Sequence, residues 1–455
     1  MQKKGFPYIP HTEEDVKDML RAIGKDSMED LLSVFPKDLR CDELNIPSGL
    51  SEQELLDLAK KITFTNKGTG KYSSFLGAGS YNHYSPSLVN HILLRSEFFT
   101  AYTPYQPEVS QGTLQTIFEY QTLICQLTGM EVSNASLYDG ASGVAEAVLM
   151  AERVTKRDKV VLSSALHPEY RDTTKTYHLF KEGDIVEAPY SKDTGATEGL
   201  VDLIDDKTAA VVIQYPNFFG TIEDLEKIAK LAHDKGALFI VAVTEPVALG
   251  LLTPPGEFGA DIVVGEAQSF GAGLSYGGPY LGFLATQNKH LRQMPGRVAG
   301  QTVDRNGTKC FCLTLSTREQ HIRREKATSN ICTNQGLISL AATVHLTALG
   351  KSGLISLANV NLSKAHYLKD ELEKISGVKA PFSNNGSPFF NEFTVDLGRD
   401  TDEIMAKLME REIIGGLPLK RFYPELNTHM LLAVTEMNSV RKIDLFINAM
   451  KEILN

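Results

Sequence analysis

Short apolar runs alternate with amphipathic stretches through the middle of the chain. The apolar runs have the length of strands, and segments with helical spacing lie between several of them. This alternation predicts a mainly parallel sheet with helices on both faces. The predicted strands cover 159–165, 184–190, 209–216, 237–243, 260–267 and 280–285, and the predicted helices cover 113–128 and 222–235, with another beginning at Pro168.

The pattern changes at both ends of this α/β region. Near the N-terminus, Thr12, Ser27 and Ser51 each begin a capping-box-like sequence ahead of apolar positions, which predicts short amphipathic helices. Such an arm either wraps a neighbouring subunit or packs against its own chain. Towards the C-terminus, two long helices over 333–349 and 353–375 are followed by shorter strands and helices. We therefore predict an N-terminal helical arm (1–66), a large domain (67–330) and a smaller C-terminal α/β domain (331–455).

Composition and charge narrow the classes of function. The chain of 455 residues carries a formal net charge of −10, which argues against general binding to nucleic acid or to anionic membranes. No apolar run approaches the roughly 20 residues that span a bilayer. The first residues contain no apolar segment typical of a secretory signal, so we expect a cytoplasmic protein.

The five cysteines are sparse and odd in number, which does not indicate a disulfide framework. Cys310 and Cys312 lie two residues apart in a strand-like sequence, and we interpret them as free thiols rather than as metal ligands. We predict no metal site.

Candidate chemistry lies just after the predicted strands, because ligands of α/β proteins bind at the carboxyl ends of the strands. The stretch Asp139–Gly143 leads into a helix and contains Ser142, and it is either an anion cradle or an ordinary helix cap. His167 follows the next strand and either stacks on a flat ring or caps the helix that begins at Pro168. Glu245 and Gln268 follow two later strands.

The order of these residues fits a fold-type-I pyridoxal phosphate protein. In that arrangement Ser142 marks the cradle, His167 the ring stacker, Glu245 the partner of the pyridine nitrogen, and Gln268 occupies the position of the lysine. There is no lysine between Lys235 and Lys289. Because glutamine cannot form a Schiff base, we predict a vestigial pocket with no covalent cofactor and no catalytic residue in this chain.

Other cofactor motifs are absent from the sequence. The glycines from Gly271 to Gly277 contain one residue too many for a dinucleotide fingerprint, and no P-loop, zinc-protease motif or nucleophile elbow occurs.

Long specific blocks of sequence resemble one known family. The blocks are SFLGAGSYNHYSPS, RSEFFTAYTPYQPEVSQGTLQTIFEYQTLICQLTGMEVSNASLYDGAS, LLTPPGEFGADIVVGEAQSFGAGLSYGGPYLGF, GRVAGQTVDRNG and TREQHIRREKATSNICTNQ. Over essentially its whole length the chain resembles the glycine dehydrogenases (decarboxylating), the P-proteins of the glycine cleavage system, and among them the subunit 1 type of the two-subunit form.

The resemblance implies an activity that needs a second chain. P-proteins bind glycine through pyridoxal phosphate, release carbon dioxide and transfer the aminomethyl group to the lipoyl arm of the H-protein. In the two-subunit form the catalytic lysine and the cofactor belong to subunit 2. The resemblance therefore implies a non-catalytic chain that completes the site of its partner, in a heterotetramer of two subunit pairs.

Two regions are candidates for contact with that partner, because active sites of this fold lie near the subunit interface. The first is an aromatic loop, and its candidate residues are Tyr102, Thr103, Pro104, Tyr105, Gln106 and Glu108. The second is Arg323 and Arg324 in the basic stretch 294–330, which otherwise forms a solvated face paired with Glu319 and Glu325.

Two other functions remain open from the residues alone. A self-sufficient pyridoxal phosphate enzyme would need Lys289 or Lys309 to reach the pocket. A regulatory or binding pseudoenzyme of the same fold would use the vacated pocket for another ligand.

Overall fold

The computed structural model describes residues 8–41, 44–384 and 387–454. Contacts along the chain divide it into two compact units, Met1–Lys67 and Gly68–Asn455. The boundary that the sequence predicts between residues 330 and 331 is not one of these divisions, and it stays a prediction.

The first unit contains helices α1 (Glu13–Ala22), α2 (Met28–Leu32) and α3 (Glu52–Thr63). Each begins with a complete capping box, in which the side chain of Thr12, Ser27 or Ser51 accepts a hydrogen bond from the backbone three residues later. The predicted caps are therefore confirmed. Among the described residues of this unit only Leu20 is buried, so most apolar side chains of the arm face solvent.

The second unit contains the remaining helices and all the described strands. The helices are α4 (Ser87–Leu93), α5 (Ser96–Phe99), α6 (Gln111–Thr128), α7 (Gly140–Thr155), α8 (Pro168–His178), α9 (Leu200–Leu203), α10 (Leu225–Asp234), α11 (Gln320–Arg323), α12 (Gly336–Leu372), α13 (Pro381–Asn384), α14 (Thr401–Met409) and α15 (Val440–Leu454). The strands are β1 (Ser73–Ser74), β2 (Val132–Ser133), β3 (Lys159–Ser163), β4 (Ile185–Ala188), β5 (Thr208–Gln214), β6 (Leu238–Val243), β7 (Ile262–Glu266), β8 (Gly282–Thr286), β9 (Val298–Val303), β10 (Lys309–Thr314), β11 (Glu392–Asp396), β12 (Ile413–Ile414), β13 (Leu417–Pro418) and β14 (His429–Ala433).

The main sheet has seven strands in the order β2-β8-β7-β6-β5-β3-β4. Strands β3 to β7 pair in parallel. Beyond β7, strand β8 pairs antiparallel with β7, and the outermost strand β2 pairs antiparallel with β8. Every residue of β5 is buried, because helices cover both faces of the sheet. Val160 and Leu162 pack into an apolar cluster with α7, while Val161 packs into the cluster on the opposite face with α10. The predicted α/β fold with a mainly parallel sheet is confirmed.

The close approach of β6 and β7 depends on Gly265. A Cβ atom at this position would lie 1.9 Å from the carbonyl oxygen of Val243 on the neighbouring strand. We expect Gly265→Ala to lower the free energy of unfolding by about 3 kcal/mol or more, because strand backbones cannot move apart without breaking the ladder. Gly112 lies in α6 with nothing within 4 Å of its added Cβ, so Gly112→Ala is the matched control and should stabilise by about 0.5–1 kcal/mol. Urea unfolding of both variants measures these changes in the free energy of unfolding. An equal change in the two variants would contradict the close approach of β6 and β7 at Gly265.

A three-stranded antiparallel sheet, β11-β14-β13, forms the second core with α14 and α15. The long helix α12 joins the two cores. It breaks at Gly350, whose φ of 61° and ψ of −178° are not helical, where the sequence predicts the boundary between two helices. Ala342 and Leu346 before the break pack in the core of the main sheet, and Leu368 beyond it packs in the core of the small sheet.

Helix α12 is also long and apolar enough to cross a membrane, the one such helix in the described part of the chain. Its packing against α4, α6 and α15 accounts for the apolar composition, because a helix between two cores needs apolar side chains around much of its circumference.

Candidate functional site

The carboxyl ends of β3, β5, β6 and β7 lie at one edge of the main sheet, as in other parallel sheets. The structure brings His167, Glu245 and Gln268 together at this edge, and all three are buried. Each of them contacts the same segment of the chain, residues 74–85, which runs across the edge. This segment is hereafter the plug segment.

Gln268 holds the plug segment by its backbone. The side-chain oxygen accepts a hydrogen bond of 3.0 Å from the amide of Tyr81, and the side-chain nitrogen donates to the carbonyl oxygens of Tyr81 at 3.1 Å and Ala272 at 2.8 Å. The side chain is 1% exposed. The position at which a lysine would be expected therefore carries a fully bonded structural amide.

Glu245 forms an ion pair inside the protein. Its carboxylate lies 2.8 Å from Nε2 of His83, and Nδ1 of the same ring lies 2.9 Å from the carboxylate of Glu436. Burial alone would lower the pKa of His83, but the two carboxylates outweigh this effect and raise it to about 10. His83 is therefore an imidazolium at neutral pH, held between two carboxylates.

His167 packs in an aromatic cluster. Its Nε2 donates to the carbonyl oxygen of Ala78 at 2.9 Å, and its ring lies 4.9 Å from the ring of Tyr170 and 5.0 Å from that of Phe218. Burial lowers the pKa of this imidazole, so it is neutral. A Cβ atom on Gly79 would lie only 2.9 Å from the ring, which shows that plug backbone packs closely against His167.

Carboxylates of the chain itself occupy the N-terminus of α7. Asp139 accepts a 2.7 Å hydrogen bond from the amide of Ser142, and Glu266 accepts a 3.1 Å bond from the amide of Gly140. A Cβ atom on Gly140 would lie 2.1 Å from the hydroxyl of Tyr170, so this side chain closes the space above the helix end. The amide of Ser142 thus takes part in a helix cap, and its membership of a vestigial pocket stays a prediction.

One further buried acidic side chain, Glu392, lies at the site. Glu392 accepts hydrogen bonds from the amide of Ala78 at 2.6 Å and from the hydroxyl of Tyr81 at 2.8 Å. Burial raises the pKa of Glu392 to about 7, and it raises the pKa of Glu266 to about 7 as well. Sequence reasoning missed Tyr81, His83 and Glu392. The aromatic sequence SYNHYSPS was the only signal for the plug segment, and nothing local marks Glu392.

Little space remains at this edge of the sheet. The cavity beside Tyr81, Thr244 and Glu245 has a volume of about 10 Å³, which is about one water molecule. The two alternative lysines do not reach it. Lys289 lies near Asp261, before the first residue of β7 and thus at the opposite end of the strand from Gln268, and Lys309 lies over the ring of Phe311 in the β9–β10 hairpin.

The comparisons with known proteins agree with one another. Residues 7–450 match the family described as glycine cleavage system P-protein. The chain belongs to this P-protein family. It is 51% identical to a protein of Geobacillus sp. (strain WCH70) over 97% of each chain, and 50% identical to one of Desulfitobacterium hafniense over 98% of this chain and 99% of that one. Both relatives carry the name "Probable glycine dehydrogenase (decarboxylating) subunit 1".

Solved structures share the fold of this chain. A crystal structure of inhibitor-bound glycine decarboxylase (P-protein) superposes with a TM-score of 0.89 at 41% identity, covering 98% of this chain and all of that one. A sphingosine-1-phosphate lyase from Burkholderia pseudomallei has a TM-score of 0.64 at 15% identity, covering 92% of this chain and 93% of that one. The more distant likeness shows the fold alone, and the predicted fold-type-I class is confirmed.

The residues of this P-protein-family chain do not fit pyridoxal phosphate. Gln268, at the position that the sequence predicts for the Schiff-base lysine, has no amine and donates its side-chain hydrogens to backbone carbonyl groups, and the amide of Gly140 donates to Glu266. A cavity of about 10 Å³ cannot admit a pyridine ring with its substituents. Among the described residues no group of three or more His, Cys, Asp or Glu is arranged to hold a metal ion, and Cys125, Cys310, Cys312 and Cys332 are free thiols.

The aromatic loop 102–108 lies elsewhere, with Tyr102, Tyr105, Gln106 and Glu108 exposed and Pro104 buried. Arg297, itself 4% exposed, holds this loop. Its guanidinium donates to Oγ1 of Thr103 at 3.1 Å and to the hydroxyl of Tyr105 at 2.8 Å. It also lies 5.2 Å from the ring of Tyr105. A cavity of about 320 Å³ opens beside Tyr102, Thr103 and Pro104.

The two predicted arginines do not join this arrangement. Arg323 and Arg324 are exposed, while the buried arginine, Arg297, pairs with Glu319 at 3.4 Å. Glu319, one of the two carboxylates that the sequence analysis paired with Arg323 and Arg324, thus pairs with Arg297.

Proposed function

We propose that this chain is the non-catalytic subunit of a two-chain glycine decarboxylase. Together with subunit 2, which holds pyridoxal phosphate, it decarboxylates glycine and passes the aminomethyl group to the lipoyl arm of the H-protein. The observation that carries the proposal is the closed pocket around Gln268 in a chain whose relatives are named as subunit 1. A chain of this family that cannot hold the cofactor needs a partner that does.

Exposed apolar residues support an assembly with another chain. The aromatic loop exposes Tyr102 by 78% and Tyr105 by 52%, and the arm exposes Phe35 by 58% and Phe64 by 85%. Large apolar side chains in such numbers are typical of surfaces that become buried on association. We propose a cytoplasmic heterotetramer of two subunit pairs, in which the loop 102–108 reaches the partner's active site and Arg323 and Arg324 lie at its approach.

When bound in subunit 2, pyridoxal phosphate supplies the electron sink for decarboxylation. This chain positions the loop 102–108 at the partner's site and excludes water from that site. The loop 102–108, fixed by Arg297, closes one side of the site, and desolvation by Tyr102 and Tyr105 strengthens the polar contacts inside it.

Reconstitution tests the proposal. We expect glycine–bicarbonate carbon exchange only when both purified subunits are present with pyridoxal phosphate, and we expect borohydride to fix the cofactor to subunit 2 alone. Each subunit by itself is the control. Exchange by this chain alone, or by subunit 2 alone at the rate of the pair, would overturn the proposal.

The regulatory alternative makes a different prediction. A binding pseudoenzyme would bind a small ligand tightly and would add no exchange activity to subunit 2. The small size of the cavity at Gln268 argues against this use of the pocket.

A further inference from the structure

The plug segment makes its contacts at the positions where a pyridoxal phosphate enzyme holds its cofactor. Such an enzyme supplies an acidic partner for the pyridine nitrogen, a helix N-terminus for the phosphate, an amine for the Schiff base and a flat surface for the ring. In this chain the residue at each of the four positions forms a hydrogen bond with, or packs against, another group of the same chain.

The position of the pyridine nitrogen is the clearest case. Glu245 follows β6 and faces into the site, where a carboxylate without a partner would be strongly destabilising. His83 supplies a planar aromatic ring whose protonated nitrogen lies 2.8 Å from this carboxylate. An imidazolium on Glu245 reproduces the charge and the hydrogen bond that a pyridinium would supply. Glu436 binds the other ring nitrogen at 2.9 Å and fixes the ring.

The other three positions are taken by backbone and by one carboxylate. The Tyr81 peptide group pairs with Gln268 where an amine would reach the cofactor. The backbone of Gly79 packs against the ring of His167. The side chain of Glu266 accepts a 3.1 Å hydrogen bond from the Gly140 amide, so a carboxyl oxygen takes up a backbone donor at the N-terminus of α7.

We propose that the plug segment and Glu266 of β7 together form an internal substitute for the cofactor, with His83 in the place of the pyridine ring and Glu266 in the place of the phosphate. The absence of a lysine at position 268 is then one of several features that act together. Glu245, Gln268 and the Gly140 amide each have a partner within the chain without any ligand, and a lysine introduced at position 268 does not confer cofactor binding. This inference concerns the isolated chain and does not depend on the activity of the pair.

The test uses the full chain and its Gln268→Lys variant with pyridoxal phosphate. Each is incubated with a saturation series of the cofactor, reduced with borohydride and analysed by peptide mass. We expect the introduced lysine to be labelled no more than the exposed lysines, and we expect no saturable aldimine absorbance in either protein. Saturable labelling at position 268 of the variant would overturn the proposal.

A measurement on the unchanged chain keeps the proposal testable if Gln268→Lys fails to fold. Hydrogen exchange reports on the amides of Ala78 and Tyr81, which donate to Glu392 and Gln268. We expect both to exchange as slowly as the strands of the main sheet, and we expect pyridoxal phosphate to leave their rates unchanged. Exchange as fast as that of the exposed residues around Tyr276 would show an open segment and would overturn the proposal.

Discussion

His83→Ala is expected to lower the free energy of unfolding by about 3–5 kcal/mol at neutral pH, because removing one member of a buried ion pair leaves its partners uncompensated. The variant leaves the carboxylates of Glu245 and Glu436 facing a cavity without a cation. Urea unfolding of the isolated chain measures the loss. His91 is exposed, so His91→Ala is the matched control and should change stability by no more than about 0.5 kcal/mol.

Added imidazole distinguishes the loss of charge from the loss of volume. If the ring cation is what the carboxylates need, imidazole should raise the melting temperature of His83→Ala in proportion to its occupancy of the cavity. Pyrazole has the same ring size and remains neutral, so it should give little rescue. Equal rescue by both compounds, or a loss in His83→Ala no larger than in the control, would contradict the role of His83 as a buried cation.

The pH dependence of stability follows from the same ion pair. The folded-state pKa of His83 is raised to about 10 from an ordinary value of 6.5. Its contribution is therefore fully present below about pH 6.5 and is lost as pH rises through about 10. The charged groups around it are Glu245 and Glu436, with His345 and Lys364 nearby.

Comparing the unchanged chain with His83→Ala measures the contribution of His83 to the free energy of unfolding. The unchanged chain should lose on the order of 4 kcal/mol between pH 6.5 and pH 10 relative to His83→Ala, because the proton of the His83 ring is lost over this range. Unfolding curves across this range measure the difference. A constant difference between the two proteins would show that His83 is not protonated in the folded state.

The sequence predicts the elements that local pattern determines. Apolar runs predict the strands of the main sheet because helices cover both faces of that sheet. Capping boxes predict the arm helices because the side chain that accepts the hydrogen bond lies only three residues from the backbone amide that donates it. The break in α12 at Gly350 also has a local cause, since glycine adopts the required φ without strain.

The closure of the pocket could not be predicted from local pattern. Its partners come from distant parts of the chain: Glu392 is 311 residues from Tyr81, and Glu436 is 353 residues from His83. Nothing in the sequence around Glu392 distinguishes it from an exposed acidic residue of a strand. The position of Gln268 is visible from the sequence, whereas what fills the space around it depends on the tertiary fold.

The aromatic loop shows the same limit. The composition of 102–108 predicts a contact surface, and the exposure of Tyr102 and Tyr105 agrees with that interpretation. The arginine that holds the loop, however, is Arg297, 192 residues from Tyr105. Sequence reasoning selected Arg323 and Arg324 from the basic stretch 294–330, but a concentration of positive charge carries no information about which arginine is buried.

Arg297→Met is expected to reduce the kcat/KM of the reconstituted pair by about 10–100-fold, because displacement of a positioning loop by an ångström can have an effect of this size. The variant keeps an unbranched apolar stem but removes the hydrogen bonds to Thr103 and Tyr105 and the ion pair with Glu319. Arg297 acts through the loop and not on the substrate. The cofactor content of subunit 2 and its aldimine spectrum should therefore be unchanged.

Three controls separate positioning from a general loss of structure. Arg305 is exposed, and Arg305→Met should leave kcat/KM within about twofold, as expected for a surface position. Tyr105→Phe removes one 2.8 Å hydrogen bond and keeps the ring, so its effect should be smaller than that of Arg297→Met. Arg297→Lys should rescue little, because an ammonium cannot bond both hydroxyls in the geometry of a guanidinium. Full activity of Arg297→Met in a correctly assembled pair would show that the loop does not serve the partner's site.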